Sequence, residues 1–332
     1  MKPALRNVLI GLGVLVLLVA IGPLIVPVPP LEGTAPPRQL ADPDSQFVEV
    51  EVAGVPDVSI HYKEWGEGQP ALLLIHGFRV DLNTWAEVAE PLSAYGRVVA
   101  YDRVGFGLTE RPLREEWPQA TSPYADTAQV EAVIAVMDAL NIEQAVLVGH
   151  SAGGTVATEA ALAYPQRVAG LVLVDAVIYE GGGTPSFLLP LFQTGWFERP
   201  GLIIARQFGR SDILLRLSFH DETRITTEDR TAFEQLTRVE NWDRALWEIT
   251  QFSGEPDIAG RLDDLTMPVL VMTGAEDSVV PPADSRRLAA DIPGAQFASF
   301  EDCGHIPQLE CPQPFLNTLS TFITEEYPYA PR

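Results

Sequence analysis

Ser151 stands in Gly149-His150-Ser151-Ala152-Gly153-Gly154, between an apolar run, Ala145 to Val148, and a helix-competent stretch, Thr155 to Ala163. A G-x-S-x-G pattern in that setting is a nucleophile elbow, a turn so sharp that the serine backbone is strained and only small neighbours fit. A serine hydroxyl is a weak nucleophile at neutral pH and needs a base beside it, usually a histidine oriented by a carboxylate. The chain has five histidines. His61 falls in an early strand pattern, His76 and His150 in other motifs, and His220 in an aromatic-rich segment. His305, in Asp302-Cys303-Gly304-His305-Ile306-Pro307, is left as the base. Asp277 follows the apolar run Val269 to Met272, where a carboxylate can accept the second N–H of the imidazole. Asp175, after Leu171 to Val174, competes for that role, whereas Glu276 is one residue off and should point elsewhere. Acyl transfer also needs donors aimed at the developing oxyanion. The backbone amides of Ala152 and of Phe78, in His76-Gly77-Phe78, are placed to supply them, which makes His76 a loop residue rather than a base.

These residues need a scaffold that brings strand ends together. Continuous apolar runs recur at Ala71 to Ile75, Val98 to Tyr101, Ala145 to Val148, Leu171 to Val174 and Val269 to Met272. Strands buried on both faces lack polar alternation, so the runs predict a central, mostly parallel sheet. Phe47 to Val52, Val58 to Trp65 and Gln296 to Phe300 read as further strands, and amphipathic stretches such as Thr84 to Ala94, Asp126 to Leu140 and Pro282 to Asp291 as helices. The alternation predicts a doubly wound α/β domain. From 179 to 257 the rhythm changes to helical patterns rich in aromatics, among them Trp196, Phe197, Phe208, Phe219, Trp242 and Trp247. This segment is expected to be a helical lid over the sheet, with its aromatics mainly in packing. It divides the core into a first part, 47–178, and a second, 258–332.

The 332 residues are 46% hydrophobic and carry a net charge of -23, with Lys2 and Lys63 the only lysines. Such acidity disfavours nucleic acid and anionic membrane surfaces as partners of the globular part, and no nucleic-acid partner is expected. Lys2 and Arg6 precede an uncharged apolar run, Val8 to Val28. Its 21 residues, at about 1.5 Å each, match a hydrocarbon core of about 30 Å. Residues 1–30 are therefore expected to be an N-terminal membrane anchor, with a cleaved secretory signal as the alternative. The basic flank puts the large domain outside the cytoplasm. Residues 31–46 continue a proline-rich stretch that should act as an extended spacer. The two cysteines, Cys303 and Cys311, flank His305 and are able to pair in an oxidising compartment. No metal-ligand spacing and no phosphate-binding loop are present, so no cofactor is expected.

His76-Gly77-Phe78, Tyr101 to Gly107, the Gly149 to Gly154 elbow, Gly274 to Asp277 and Gly304-His305 together resemble the α/β-hydrolase fold superfamily over about 47–327. The resemblance implies an eight-stranded sheet, a lid inserted after the sixth strand, a Ser151–His305–Asp277 triad and a structural role for Asp102 and Arg103. Haloalkane dehalogenases and epoxide hydrolases of this superfamily carry aspartate at the elbow, and Ser151 argues against both. No tyrosine lies between Glu180 and Asp257, where epoxide hydrolases use lid tyrosines. Some dehalogenases carry their acid where Asp175 stands. Carbon–carbon bond hydrolases keep the serine but typically have tryptophan after the catalytic histidine, where this chain has Ile306. The leading expectation is a serine hydrolase of an apolar carboxylic ester. A carbon–carbon bond hydrolase or perhydrolase with the same triad is the alternative. A non-catalytic ligand receptor is disfavoured by the complete set of catalytic groups.

Overall fold

Each of the five apolar runs between Ala71 and Met272 forms a buried strand. The computed structural model describes residues 7, 10–12, 20–118, 121–179, 183–254 and 258–328. Eight strands, β1 (Gln46–Val52), β2 (Val55–Trp65), β3 (Ala71–Ile75), β4 (Arg97–Tyr101), β5 (Ala145–His150), β6 (Val168–Val174), β7 (Val269–Gly274) and β8 (Gln296–Phe300), form one sheet in the order β1-β2-β4-β3-β5-β6-β7-β8. Pairing is antiparallel for β1 with β2 and β2 with β4, and parallel from β4 through β8. Successive side chains of a strand point to opposite faces. Accordingly, Leu73, Ile75 and Leu147 enter one apolar core, and Leu72, Leu74, Val146 and Val148 enter the other. Helices Asp126–Ala139 and Ala152–Ala163 cover the first face, and Ala86–Leu92 and Pro312–Glu326 cover the second.

The chain runs from β3 to β4 on one side and reaches β5 on the other, so the strand order reverses between β3 and β5. A crevice opens beyond the carboxyl ends of strands at such a switch point, and ligands bind there. The turn after β3 carries Gly77 and Phe78, and the turn after β5 carries Ser151. The two turns nearly touch: a Cβ placed on Gly77 would lie 3.0 Å from that of Ser151.

Between β6 and β7 lie helices Leu189–Phe192, Glu198–Gly209, Ile213–Ser218, Thr227–Gln235 and Trp242–Phe252. Trp242, Trp247 and Phe219 are buried as expected, Trp196 and Phe197 are half-buried, and Phe208 is exposed. Gly181 and Gly182, at the expected entry to this segment, lie outside the described residues.

The N-terminus differs from expectation. Of the proposed span, residues 8, 9 and 13–19 lie outside the described residues. Among the described residues no helix is long and apolar enough to cross a membrane. Residues 20–25 are helical and expose Ile21, Leu24 and Ile25. The proline-rich segment is extended but is not a free spacer. Arg199 donates to the Val26 carbonyl (3.1 Å), Arg206 donates to that of Pro29 (2.6 Å), and Ala35 bridges to Val239 of the lid. Proline-rich chain leaves its carbonyls unpaired, which makes them ready acceptors for arginine. Val28 and Leu31 add packing against the lid helices.

Candidate active site

Ser151 occupies the turn between β5 and helix Ala152–Ala163 with φ 54° and ψ -123°. A residue with a side chain adopts that region only when its surroundings impose it. The packing of the turn does so, because a Cβ on Gly149 would approach the carbonyl oxygen of Gly153 to 2.5 Å. The amide of Ala152 opens the following helix and so has no intrahelical acceptor, which leaves it available to an oxyanion.

Asp277 and His305 come together from the turns after β7 and β8. His305 Nδ1 donates to Asp277 Oδ2 at 2.7 Å. Asp277 Oδ1 accepts the amides of Val279 (2.7 Å) and Val280 (2.9 Å). Burial opposes ionisation of Asp277, but the His305 hydrogen bond and charge and these two amides hold the carboxyl below its ordinary value. A carboxylate so occupied fixes the histidine tautomer and leaves Nε2 as the basic nitrogen. Ser151 Oγ makes no hydrogen bond to that nitrogen, a contact that commonly tightens only with substrate bound.

Asp175 lies beside this pair rather than in it. Its Oδ1 accepts from Thr273 Oγ1 (2.7 Å) and from the Gly274 amide (3.1 Å), while Oδ2 is buried without a donor. Burial first, and then the charge of Asp277, push this carboxyl well above its ordinary value and so disfavour a second charge beside Asp277. Asp175, Asp277 and His305 bring atoms within 4.8 Å of one another, a spacing that the ligands of a cation also have. Since Asp277 and His305 already share a hydrogen bond, the trio reads more simply as a proton relay with a second acid behind it.

The other histidines take structural places. His76 Nε2 accepts the Arg103 amide (2.9 Å), so its Nδ1 carries the proton and donates to the Gly77 carbonyl (2.8 Å). Burial lowers its pKa to about 4, which makes it a neutral brace for the Phe78 turn. Asp102 accepts from His61 and from the amides of Leu82 and Leu108. His150 has a function that the motif alone does not reveal: Nε2 donates to the carbonyl of His305 at 2.7 Å. Glu310 is another. Its carboxylate accepts the amides of Gly304 (2.7 Å), His220 (3.0 Å) and Asp221 (2.8 Å), joining the His305 turn to the lid. Glu276 turns away from His305, as expected, and accepts the Cys303 amide (3.0 Å). Cys303 and Cys311 are joined in a disulfide with their Cα atoms 6.2 Å apart.

Comparison with known proteins matches residues 70–312 to the family described as alpha/beta hydrolase fold. The chain is 30% identical over 288 residues to a 2-hydroxy-6-oxononadienedioate/2-hydroxy-6-oxononatrienedioate hydrolase of Paraburkholderia phymatum, covering 84% of this chain and 95% of that protein. It is 33% identical over 276 residues to a 2-hydroxymuconate semialdehyde hydrolase of Pseudomonas putida, covering 78% and 89%. Among solved structures, Est816, an N-acyl homoserine lactone degrading enzyme, superposes with a TM-score of 0.64 at 28% identity, covering 83% of this chain and all of that one.

Proposed function

Because the chain belongs to the α/β-hydrolase fold family, we propose that it is a serine hydrolase that cleaves the carbon–carbon bond beside a ketone or aldehyde carbonyl in a carboxylate-bearing, ring-fission-type substrate. The observation that carries this reading is the likeness, at 30 and 33% identity over most of both chains, to hydrolases named for such compounds. It takes precedence over the apolar ester expected from the sequence, which becomes the second reading. In either reaction Ser151 Oγ adds to the carbonyl carbon as His305 Nε2 takes its proton, and the amides of Phe78 and Ala152 receive the charge on oxygen. The bond to the leaving group then breaks. Its electron pair departs with that fragment, which takes the proton from His305, and water frees the acyl group from Ser151 by the reverse proton path. Asp277 orients His305 throughout.

Ester cleavage is favoured by Ile306, which stands where carbon–carbon hydrolases of this superfamily typically have tryptophan, and by the likeness to a lactone-degrading enzyme. Turnover of 2-hydroxymuconate semialdehyde beside 4-nitrophenyl butyrate decides between the two. The first reading predicts the higher kcat/KM on the semialdehyde and loss of both activities in Ser151→Ala. Ester turnover alone would install the second reading, and full activity of Ser151→Ala would remove both.

We infer further that the 8–28 segment tethers the protein to a membrane, with the hydrolase domain on the extracytoplasmic side. The uncharged run, its preceding Lys2 and Arg6, and the exposed Ile21, Leu24 and Ile25 support this reading. Full-length protein should stay with membranes through alkaline carbonate washing. Release into the wash would rule the tether out.

A further inference from the structure

Arg79 follows Phe78, the expected oxyanion donor, and holds a left-handed backbone with φ 59°. Glycine takes that conformation freely, whereas a side chain there is strained. Only 5% of Arg79 is exposed, yet Nε and Nη1 have no hydrogen-bond acceptor. Its guanidinium lies over the ring of Phe233, 4.3 Å from the centroid, and makes no ion pair. A buried cation without acceptors is among the more costly arrangements a fold can hold. Arg111 is equally buried; it donates to the carbonyls of Thr109 (3.0 Å) and Gly107 (2.8 Å) and also leaves Nε without an acceptor.

Both arginines line one small cavity between the turn after β4 and the lid, closed on the lid side by Leu236, Trp242 and Leu246. Two arginines with unmade donors thus share the lining of a space whose other walls are glycines and apolar side chains. Its volume is about 20 Å³, enough for one carboxylate oxygen, so Leu236 and Trp242 would part to admit the second. A planar guanidinium matches a carboxylate in a two-point fork.

We propose that Arg79, with Arg111 beside it, is the anion seat of this enzyme and binds a carboxylate on the non-reacting part of the substrate. The proposal rests on the reading of Ser151 as a hydrolytic nucleophile and adds to it the residues that recognise the carboxylate, so that acids are preferred over neutral compounds of the same shape. Binding energy gained at this seat positions the carbonyl against Ser151 and the Phe78 amide without entering the chemical step.

The test compares 4-nitrophenyl monoesters of dicarboxylic acids, from succinate to suberate, with neutral 4-nitrophenyl acyl esters of equal length. The wild type should favour at least one acidic ester by tenfold or more in kcat/KM. Arg79→Gln should cut that acid-to-neutral ratio at least tenfold, mainly through KM, and Arg79→Lys should restore part of it by returning the charge without the fork. A wild type that turns over the neutral esters with no acid preference overturns the proposal and leaves the Ser151 reading standing. So does an unchanged ratio in Arg79→Gln with a wild-type melting temperature. If Arg79→Gln does not fold, Arg79→Lys decides: an unchanged ratio overturns the proposal and a reduced one supports it. Turnover of neither ester class, with Ser151 unlabelled by a fluorophosphonate, would overturn both readings together.

Discussion

His150 Nε2 donates to the backbone carbonyl of His305 across 2.7 Å, so the residue before the nucleophile holds the turn that carries the base. Two segments 155 positions apart are thereby fixed to each other at the point where their side chains must cooperate. Burial, with the His305 ring next to it, lowers the His150 pKa to about 3 and keeps it a neutral donor through the working range of a hydrolase. Replacing His150 by Phe removes the tie while keeping a ring in place. A lost hydrogen bond of about 1–1.5 kcal/mol predicts roughly a tenfold fall in kcat with KM little changed. Steady-state kinetics check this, and a loss confined to KM would show that the tie does not set the position of His305.

The two buried aspartates should answer differently to amide substitution. Asp277 is the ionised partner of His305, so Asp277→Asn should lower kcat by about 10⁴, the cost of the wrong tautomer. Burial disfavours a charge on Asp175, and an asparagine there keeps an oxygen to accept from Thr273 and the Gly274 amide. Asp175→Asn should therefore cost less than about tenfold in kcat. Equal losses in the two variants would show that Asp175 shares the charged role.

The Cys303–Cys311 bridge closes a loop around His305. A loop this short should contribute about 2–3 kcal/mol of stability through the unfolded chain. Cys303→Ser/Cys311→Ser, or incubation with dithiothreitol, should lower the melting temperature and reduce kcat severalfold as the His305 turn loosens. Unchanged melting and kcat after confirmed reduction would make the bridge dispensable.

Stability should also carry a pH signature from Glu159. Burial, and then the charge of Asp126, raise this carboxyl from 4.5 to about 7. Between those values the folded chain holds a proton that the unfolded chain has lost, so this group makes stability fall as pH rises. Glu159→Gln removes the dependence. Urea unfolding should find the variant more stable than wild type by on the order of 1 kcal/mol at pH 8, after allowance for solvent screening, and no different at pH 4. A gain that is the same at both pH values would mean that the effect comes from packing rather than ionisation.

The strands were legible because a strand covered on both faces writes its burial as an unbroken apolar run, as in Ala71–Ile75 and Val269–Gly274. Ser151 and Asp277 were legible because each follows such a run at the carboxyl end of the sheet, and His305 because it follows the last strand, Gln296–Phe300, with the other histidines placed elsewhere. Glu310 was not, since a glutamate six residues past Gly304, ending the short helix Pro307–Glu310, announces neither the turn of its carboxylate toward the Gly304 amide nor its reach to the lid at His220. Arg79 was hidden for a related reason: exposure is the ordinary state of arginine, and only packing shows that this one is enclosed. The contacts of the proline-rich segment were hidden because its partners are lid arginines more than 150 residues away.

That segment gives the lid an attachment beyond those at the sheet and the Glu310 tie to the His305 turn. Besides its entry and exit at the ends of β6 and β7, the lid is laced to residues 26–40, which in turn are fastened to the sheet where Arg38 meets Glu49 and Lys63 meets Asp42 and Asp44. A flap hung on two adjacent cords swings about the line between them, whereas one held at a third, distant point must slacken that cord before it lifts. Tension on residues 26–40 would thus be felt by the lid, whose freedom depends on that distant strap as well as on its connections to the sheet.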